Sequence, residues 1–427
     1  MGRGYIVEEA VESYLSQLCE LKSTTITGLL IGQSSAQRDF IVMASRTPPK
    51  QSPGESLDKE WVMEHARQVS RMLPGGLSVL GVFIITEADA KDTQTTLRQL
   101  IFFVENLISS ERFWSPADDD VTDCVTLHIN SKTRKTVCRT FDVKDPKSMA
   151  KPADWKYQSG VCSSWITVSC CLNVNIHLPL PPGQNTPETM EKCIKDELHV
   201  WAQQIESGMC LLDGKKFPDD AELTTGQRRN AKQVYTVQLL ISPCERRMSD
   251  VVQICGGSVS IKGAVHSRAY VHSNKPKAKL AEKMLKRDII STVASRVHML
   301  LEELETAEGQ NNNVAVELHI PKRIFCPVKG RGPVSVCDYQ FSDEGPSEAT
   351  ERLKEMLDLD AAEEHIDTSQ EVTPENISTE TSDTKAEPLH EKVEEPTPQR
   401  NNYIGVVMAS AVALLASAAS LLYLTDA

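Results

Sequence analysis

Nowhere in the chain are two cysteines spaced C-x-x-C, although 12 cysteines are spread over its 427 residues. A zinc ribbon, or the disulfide framework of a small secreted domain, shows close and regular cysteine spacing. With neither pattern present, and with the adjacent Cys170-Cys171 pair inside a strand-like run, reduced thiols of a cytosolic domain are expected. Positive charge is also short. Lys and Arg number 46 against 59 Asp and Glu, a formal net charge of -13. A general nucleic-acid binder needs concentrated basic surface to neutralise phosphates, so that class is excluded. The basic cluster Lys275 to Lys286 opens a helix and reads as its solvated face.

Several signatures are incomplete in the same way. Met1 to Ile6 starts like a myristoylation site but carries Ile6 where Ser or Thr is required. A charged segment followed by an apolar one is missing at the N-terminus, so no signal peptide is expected. In Gly208 to Lys216 five residues separate the glycines, and Lys216 stands where a phosphate loop needs Ser or Thr. Asp118-Asp119-Asp120 lacks the alternating ligands and glycine of a calcium loop. No cofactor or metal is expected.

What is present is organised around His65 to Thr86. A helix-period segment containing Trp61, Ala66, Val69, Met72 and Leu73 ends at Pro74-Gly75-Gly76, and the apolar run Leu77 to Ile85 follows at once. Proline and glycine stop a helix, and a short β-branched run then favours a buried strand. Helix, tight turn and core strand are predicted. Around them, Thr24 to Ile31 and Phe40 to Ala44 read as a hairpin, Thr93 to Ser109 as a helix, Val125 to Ile129 with Thr136 to Phe141 as a strand pair, and Trp165 to Leu178 as a further strand. Lys151 to Gly160 reads as a loop whose Trp155 and Tyr157 either pin it to the core or anchor a partner, and the sequence leaves both open.

The helix-turn-strand segment resembles the centre of an MPN domain. In metal-dependent members of that family two histidines at the strand end, an upstream glutamate and a later aspartate hold zinc. Here Ile84 and Thr86 stand in the histidine places, Thr25 falls near the glutamate place before the GLLIG run at Gly28 to Gly32, and Thr95 and Arg98 fall near the later serine and aspartate. None of these side chains is a zinc ligand. The resemblance implies an α/β pseudo-MPN domain over residues 1–182, with no catalytic or metal-ligating residue. Residues beside the empty site, Val82 and Phe83, join Trp155 and Tyr157 as candidate partner-binding positions.

A second α/β region is expected over residues 187–345. It opens with a helix over Pro187 to Ser207, has strand-like Val234 to Ser242 and Val251 to Ile254, and continues through an alternating run from Ser258 to Val271. A long helix follows, with Leu280, Met284, Ile289, Val293, Val297, Leu300 and Leu304 on one side, a stripe expected to be core. His266 and His272 share a face of the alternating strand, and Cys255 is near in sequence. A divergent cysteine hydrolase using Cys255 with His266 or His272 is therefore the alternative reading from another class.

Residues 346–400 lose aromatics and gather Glu, Thr, Ser, Asp and Pro, so a disordered acidic linker is expected, with a short helix near Ala349 to Leu359. Tyr403 to Leu424 contains no charge and is long enough for one bilayer-spanning helix. Arg400 and Lys392 precede it, which by the positive-inside tendency leaves the bulk of the chain cytosolic and the short C-terminus luminal. Gly405, Ala409, Ala413 and Ser417 recur every fourth residue, fitting either close packing against another helix or a plain membrane anchor.

The strings MGRGYIVEE, GLLIGQSS, ASRTPPK, HARQVSRMLPGGLSVLGVFIIT, PADWKYQSG, VQICGGSVSIKGAV and RAYVHSNKPK resemble, in this order, the odr-4 (odorant response abnormal) family. The resemblance runs through most of residues 1–345. It implies a non-enzymatic, tail-anchored endoplasmic reticulum protein linked to trafficking of chemosensory, multi-pass receptors and to a protease of the ubiquitin-fold modifier.

Overall fold

A computed structural model describes residues 3–21, 25–49, 57–181, 187–223, 233–242, 255–306 and 315–371. The expected strand Val251 to Ile254, the acidic linker beyond 371, and the anchor Tyr403 to Leu424 lie outside the described residues.

The β-branched runs of the first block form eight strands of one mixed sheet: β1 (Gly4–Glu8), β2 (Thr25–Gln33), β3 (Arg38–Arg46), β4 (Ser78–Thr86), β5 (Asp123–Asn130), β6 (Thr136–Asp142), β7 (Lys151–Pro152) and β8 (Asp154–Gln158). Their spatial order is β7-β6-β5-β4-β2-β3-β1-β8. The segment from 151 to 158 pairs first with β6 and then with β1, at opposite ends of that order. One short segment thus supplies the outermost strand at each end of the sheet. One sheet face packs on α1 (Glu9–Leu18) through Val11, Leu15 and Leu18, with Phe83 and Ile85 among the strand residues they meet. The other face packs on α2 (Lys59–Arg71) and α3 (Ala90–Ser110), with Val82 and Ile84 in that layer. Strand β4 is therefore buried on both faces, which is why it reads as an unbroken apolar run.

The expected loop at 151–160 is largely strand. Exposure alternates along β8, with Trp155 and Tyr157 half-buried and Asp154, Lys156 and Gln158 exposed, the period-two pattern of a strand lying on a core.

Five strands make the second sheet: β9 (Ile166–Leu180), β10 (Met209–Leu212), β11 (Val234–Leu240), β12 (Gly257–Val271) and β13 (Ala315–His319), in the order β10-β11-β9-β12-β13. Strands β9 and β12 pair antiparallel along all 15 residues of each. Helices α4 (Pro187–Ser207) and α5 (Ala278–Thr306) cover one face, and the α5 stripe is core: Ile289, Val293 and Val297 are fully buried. The second sheet thus takes its central strand from before residue 182, where the first domain was expected to end.

A hairpin of β14 (Lys322–Pro327) and β15 (Ser335–Gln340) then leads into α6 (Pro346–Leu357). This stretch packs back on the first block, and Ile324, Val336, Ala349, Leu353 and Leu357 share a core with α2 and β4. Residues 346–371 were expected to open a disordered linker, but they belong to the folded unit. Their acidic composition hides an apolar stripe on α6 and one carboxylate, Glu371, that is buried against Arg296.

The two sheets meet at Pro74-Gly75-Gly76. Gly75 N donates to Arg268 O at 3.0 Å and to Asp288 Oδ1 at 2.8 Å, and Tyr270 N donates back to Gly75 O at 2.8 Å. Gln33 Nε2 donates to Gly76 O and Tyr270 O, while Gln33 Oε1 accepts from His272 N. Gly76 has φ of 81°, and a Cβ there would lie 2.1 Å from Tyr270 O. Only glycine fits. The described residues, up to Glu371, form one compact unit.

Candidate functional site

Three of the positions that the sequence resemblance aligns with an MPN metal site, Thr25, Ile84 and Thr86, are brought together by strand pairing. Thr25 is opposite Thr86 in the β2–β4 register, with their hydroxyl oxygens 3.5 Å apart, and Ile84 is opposite His128 in the β4–β5 register. Ile84 is 2% exposed and packs into the α2/α3 core, and Thr86 is buried beside it. His128 Nε2 donates to Ala88 O at 3.0 Å, which ties its ring to the loop after β4. On α3, Thr95 is exposed and Arg98 lies over the Phe102 ring, its guanidinium on Pro146 O. Apolar and hydroxyl side chains fill the place by packing. Among the described residues no group of three or more His, Cys, Asp or Glu is placed to hold a metal.

Of the candidate partner positions, Val82 and Phe83 are 1% and 0% exposed. Each serves one of the two cores flanking β4, so neither offers surface to a partner. Trp155 and Tyr157 differ. Trp155 stacks at a tilt on Tyr5, and Tyr157 meets Trp155 edge to face, both at 6.2 Å between ring centroids. Asp154 N donates to Arg3 O at 3.0 Å, so Asp154, Lys156 and Gln158 direct their backbone groups to β1. Alternation then turns the backbone N–H and C=O of Trp155 and Tyr157 away from β1. Among the described residues β8 pairs with β1 alone, leaving that side without a strand partner.

The hydrolase constellation is not assembled. Cys255 lies just before β12 and His272 just after it, and extended chain rises roughly 3.3 Å per residue, so Cys255 is roughly 35 Å from His266 and farther from His272. His266 and His272 are both buried, the first under the β14 region and the second beside Phe40. The cysteine that does meet His266 is Cys171, opposite it in the β9–β12 register, with Sγ 3.1 Å from Nδ1. Burial lowers the imidazole to about 4, helped by Arg268, and burial with Glu371 nearby raises the Cys171 thiol. Both partners are neutral near pH 7, the opposite of an activated thiolate. Sequence reading missed Cys171 because its partner lies far along the chain, and only a strand register could reveal it.

Sequence reading also missed the buried charges at the junction. Asp288 accepts from Ser267 Oγ, Arg268 N and both terminal nitrogens of Arg323, at 2.6 to 3.0 Å. Glu371 accepts from both terminal nitrogens of Arg296 and from His266 N and Arg323 N. These carboxylates satisfy backbone groups as well as guanidinium ions, as buried charges must. The membrane residues Tyr403, Gly405, Ala409, Ala413, Ser417 and Leu424 lie outside the described residues, and no helix among the described residues is long and apolar enough to cross a membrane.

Comparison with known proteins bears on the whole chain. Protein odr-4 homologs from Gallus gallus, Mus musculus and Homo sapiens are 45%, 42% and 41% identical to it, each alignment covering 100% of both chains. Odorant response abnormal protein 4 of Caenorhabditis elegans is 22% identical over 84% of this chain and 78% of its own. Among solved structures, the crystal structure of UfSP from C. elegans aligns at 10% identity with a TM-score of 0.44, covering 84% of this chain and 57% of that one. None of the relatives' names states a catalytic activity. A family model described as Odorant response abnormal 4-like matches residues 28–368, and with full-length relatives above 40% identity the chain belongs to the odr-4 family.

Proposed function

We propose that this chain is a non-enzymatic adaptor of the endoplasmic reticulum membrane that binds a ubiquitin-fold modifier specific protease and supports maturation of multi-pass receptors such as odorant receptors. The family resemblance implies these partners, and the name of the worm relative refers to odorant responses. The observation that carries the adaptor reading is the contrast between the two candidate sites. At the position aligned with an MPN metal site Ile84 and Thr86 are buried in packing, whereas β8 presents backbone groups and two half-buried aromatics along an edge that has no strand partner among the described residues.

A sheet edge of this kind suits strand addition, in which main-chain hydrogen bonds give affinity and aromatic side chains add specificity. The MPN-like first block is read as the pairing partner of a related block in the protease. Tyr403 to Leu424 is read as the single-pass anchor, with the folded unit in the cytosol.

The test is a pull-down of the full chain with the purified protease, followed by flotation of the pair with membranes. Direct binding, with co-flotation lost when residues 403–424 are deleted, is the expected result. A deleted form that stays on membranes after a high-salt wash would refute the anchor. An absence of binding would refute protease recruitment and leave receptor maturation as the role to pursue.

A further inference from the structure

A cavity of about 100 Å³ opens where α2, α5, β15 and α6 meet. Its wall is mostly apolar, built from Met72, Met299, Met356, Phe341 and the Tyr339 ring, with Gln68, Arg71 and the ion pair Asp338–Arg352 completing it. Engineered apolar cavities of roughly 150 Å³ hold a benzene ring, so this one has room for a single aliphatic side chain. Methionines suit such a wall because their unbranched thioether chains adapt to what enters.

Arg71 makes the cavity more than a packing defect. It is only 9% exposed, yet among the described residues its one side-chain bond is to Glu302 Oε1, at the long distance of 3.5 Å. That carboxylate is 52% exposed and is also 3.4 Å from His298. Three other sheltered arginines hold carboxylates more closely. Arg323 holds Asp288 with two bonds, Arg296 holds Glu371 with two, and Arg352, at the same cavity, bonds Asp338, Glu344 and Tyr339 O. A guanidinium this buried costs free energy unless an anion meets it.

We propose that this cavity binds the C-terminal residue of a peptide, its Leu- or Met-sized side chain in the cavity and its free α-carboxylate on Arg71. One residue then satisfies both features, because the side chain and the α-carboxylate leave the same Cα. The ligand matches a cavity for one side chain and a cation in its wall, Arg71, whose ion pair is long and whose carboxylate partner is shared with His298. The site is independent of the β8 edge and of the adaptor reading.

The probes are N-acetyl-leucine and its amide, titrated into the full chain labelled with ¹³C-methyl methionine. Saturable shifts of the Met72, Met299 and Met356 methyl signals are expected with the acid. Binding should fall about ten-fold or more for the amide and for Arg71→Gln, the loss of one charge-assisted hydrogen bond, with partial recovery in Arg71→Lys. Met299→Trp fills the cavity while keeping Arg71, and abolishes binding in a protein whose melting is tested separately, which covers an Arg71→Gln protein that fails to fold. No saturable shift with the acid, equal shifts with acid and amide, or binding that survives Met299→Trp would overturn the proposal.

Discussion

His65 shows how one side chain carries a pH dependence. It lies between α2 and α6, with Nε2 donating to Met356 O at 2.8 Å, and burial lowers its pKa to about 4. Unfolded, the same imidazole titrates near 6.5. Between those values the unfolded chain binds the proton and the folded chain does not, so stability falls as pH drops from 6.5 toward 4. The slope approaches about 1.4 kcal/mol per pH unit for each such histidine, and His266 adds to it in the same direction. Denaturant titrations at pH 7 and pH 5 should show this loss, and His65→Gln, which keeps a donor for Met356 O, should reduce it. An unchanged pH slope in His65→Gln would place the acid sensitivity elsewhere. At the sheet junction, Gly76→Ala should cost about 1–3 kcal/mol or more, because the methyl meets Tyr270 O in a left-handed turn. A denaturation midpoint matching that of the parent protein would show that the turn relaxes freely.

Among the elements, α6 and β8 make opposite predictions. Helix α6 and the segment to Glu371 belong to the shared core, so ending the chain at residue 345 removes Ala349, Leu353 and Leu357 from that core and leaves Arg296 buried without its carboxylate. Breaking one buried ion pair costs about 3–5 kcal/mol before the lost apolar contacts are added. A protein ending at 371 should therefore melt cooperatively, and one ending at 345 should be largely unfolded or aggregated by circular dichroism and gel filtration. Equal stability of the two would contradict the role of Glu371. Strand β8 is an edge, so Tyr157→Pro removes a backbone donor that faces away from β1 without breaking the β1 ladder. It should weaken partner binding by about ten-fold or more while leaving the fold intact, a loss readable by titration calorimetry.

For the whole molecule, the junction at Gly75 and the core shared by α2, β14, β15 and α6 imply one cooperative unit rather than two domains on a hinge. Its sequence was legible to the extent that local pattern decides structure. The helix that stops ahead of Pro74, the burial of β4, the β2–β3 hairpin, the β5–β6 pair and the apolar stripe of α5 all follow from periodicity and turn chemistry, because backbone hydrogen bonding and side-chain direction repeat at fixed intervals along the chain. Tertiary structure decided the rest. It placed β9 in the second sheet, drew residues 346–371 into the folded unit, put Cys171 rather than Cys255 beside His266, buried Val82 and Phe83, and left Arg71 facing a cavity. Each of these depends on contacts between residues far apart in the chain, which no local period encodes and which form only when cores, strand registers and buried charges are satisfied together.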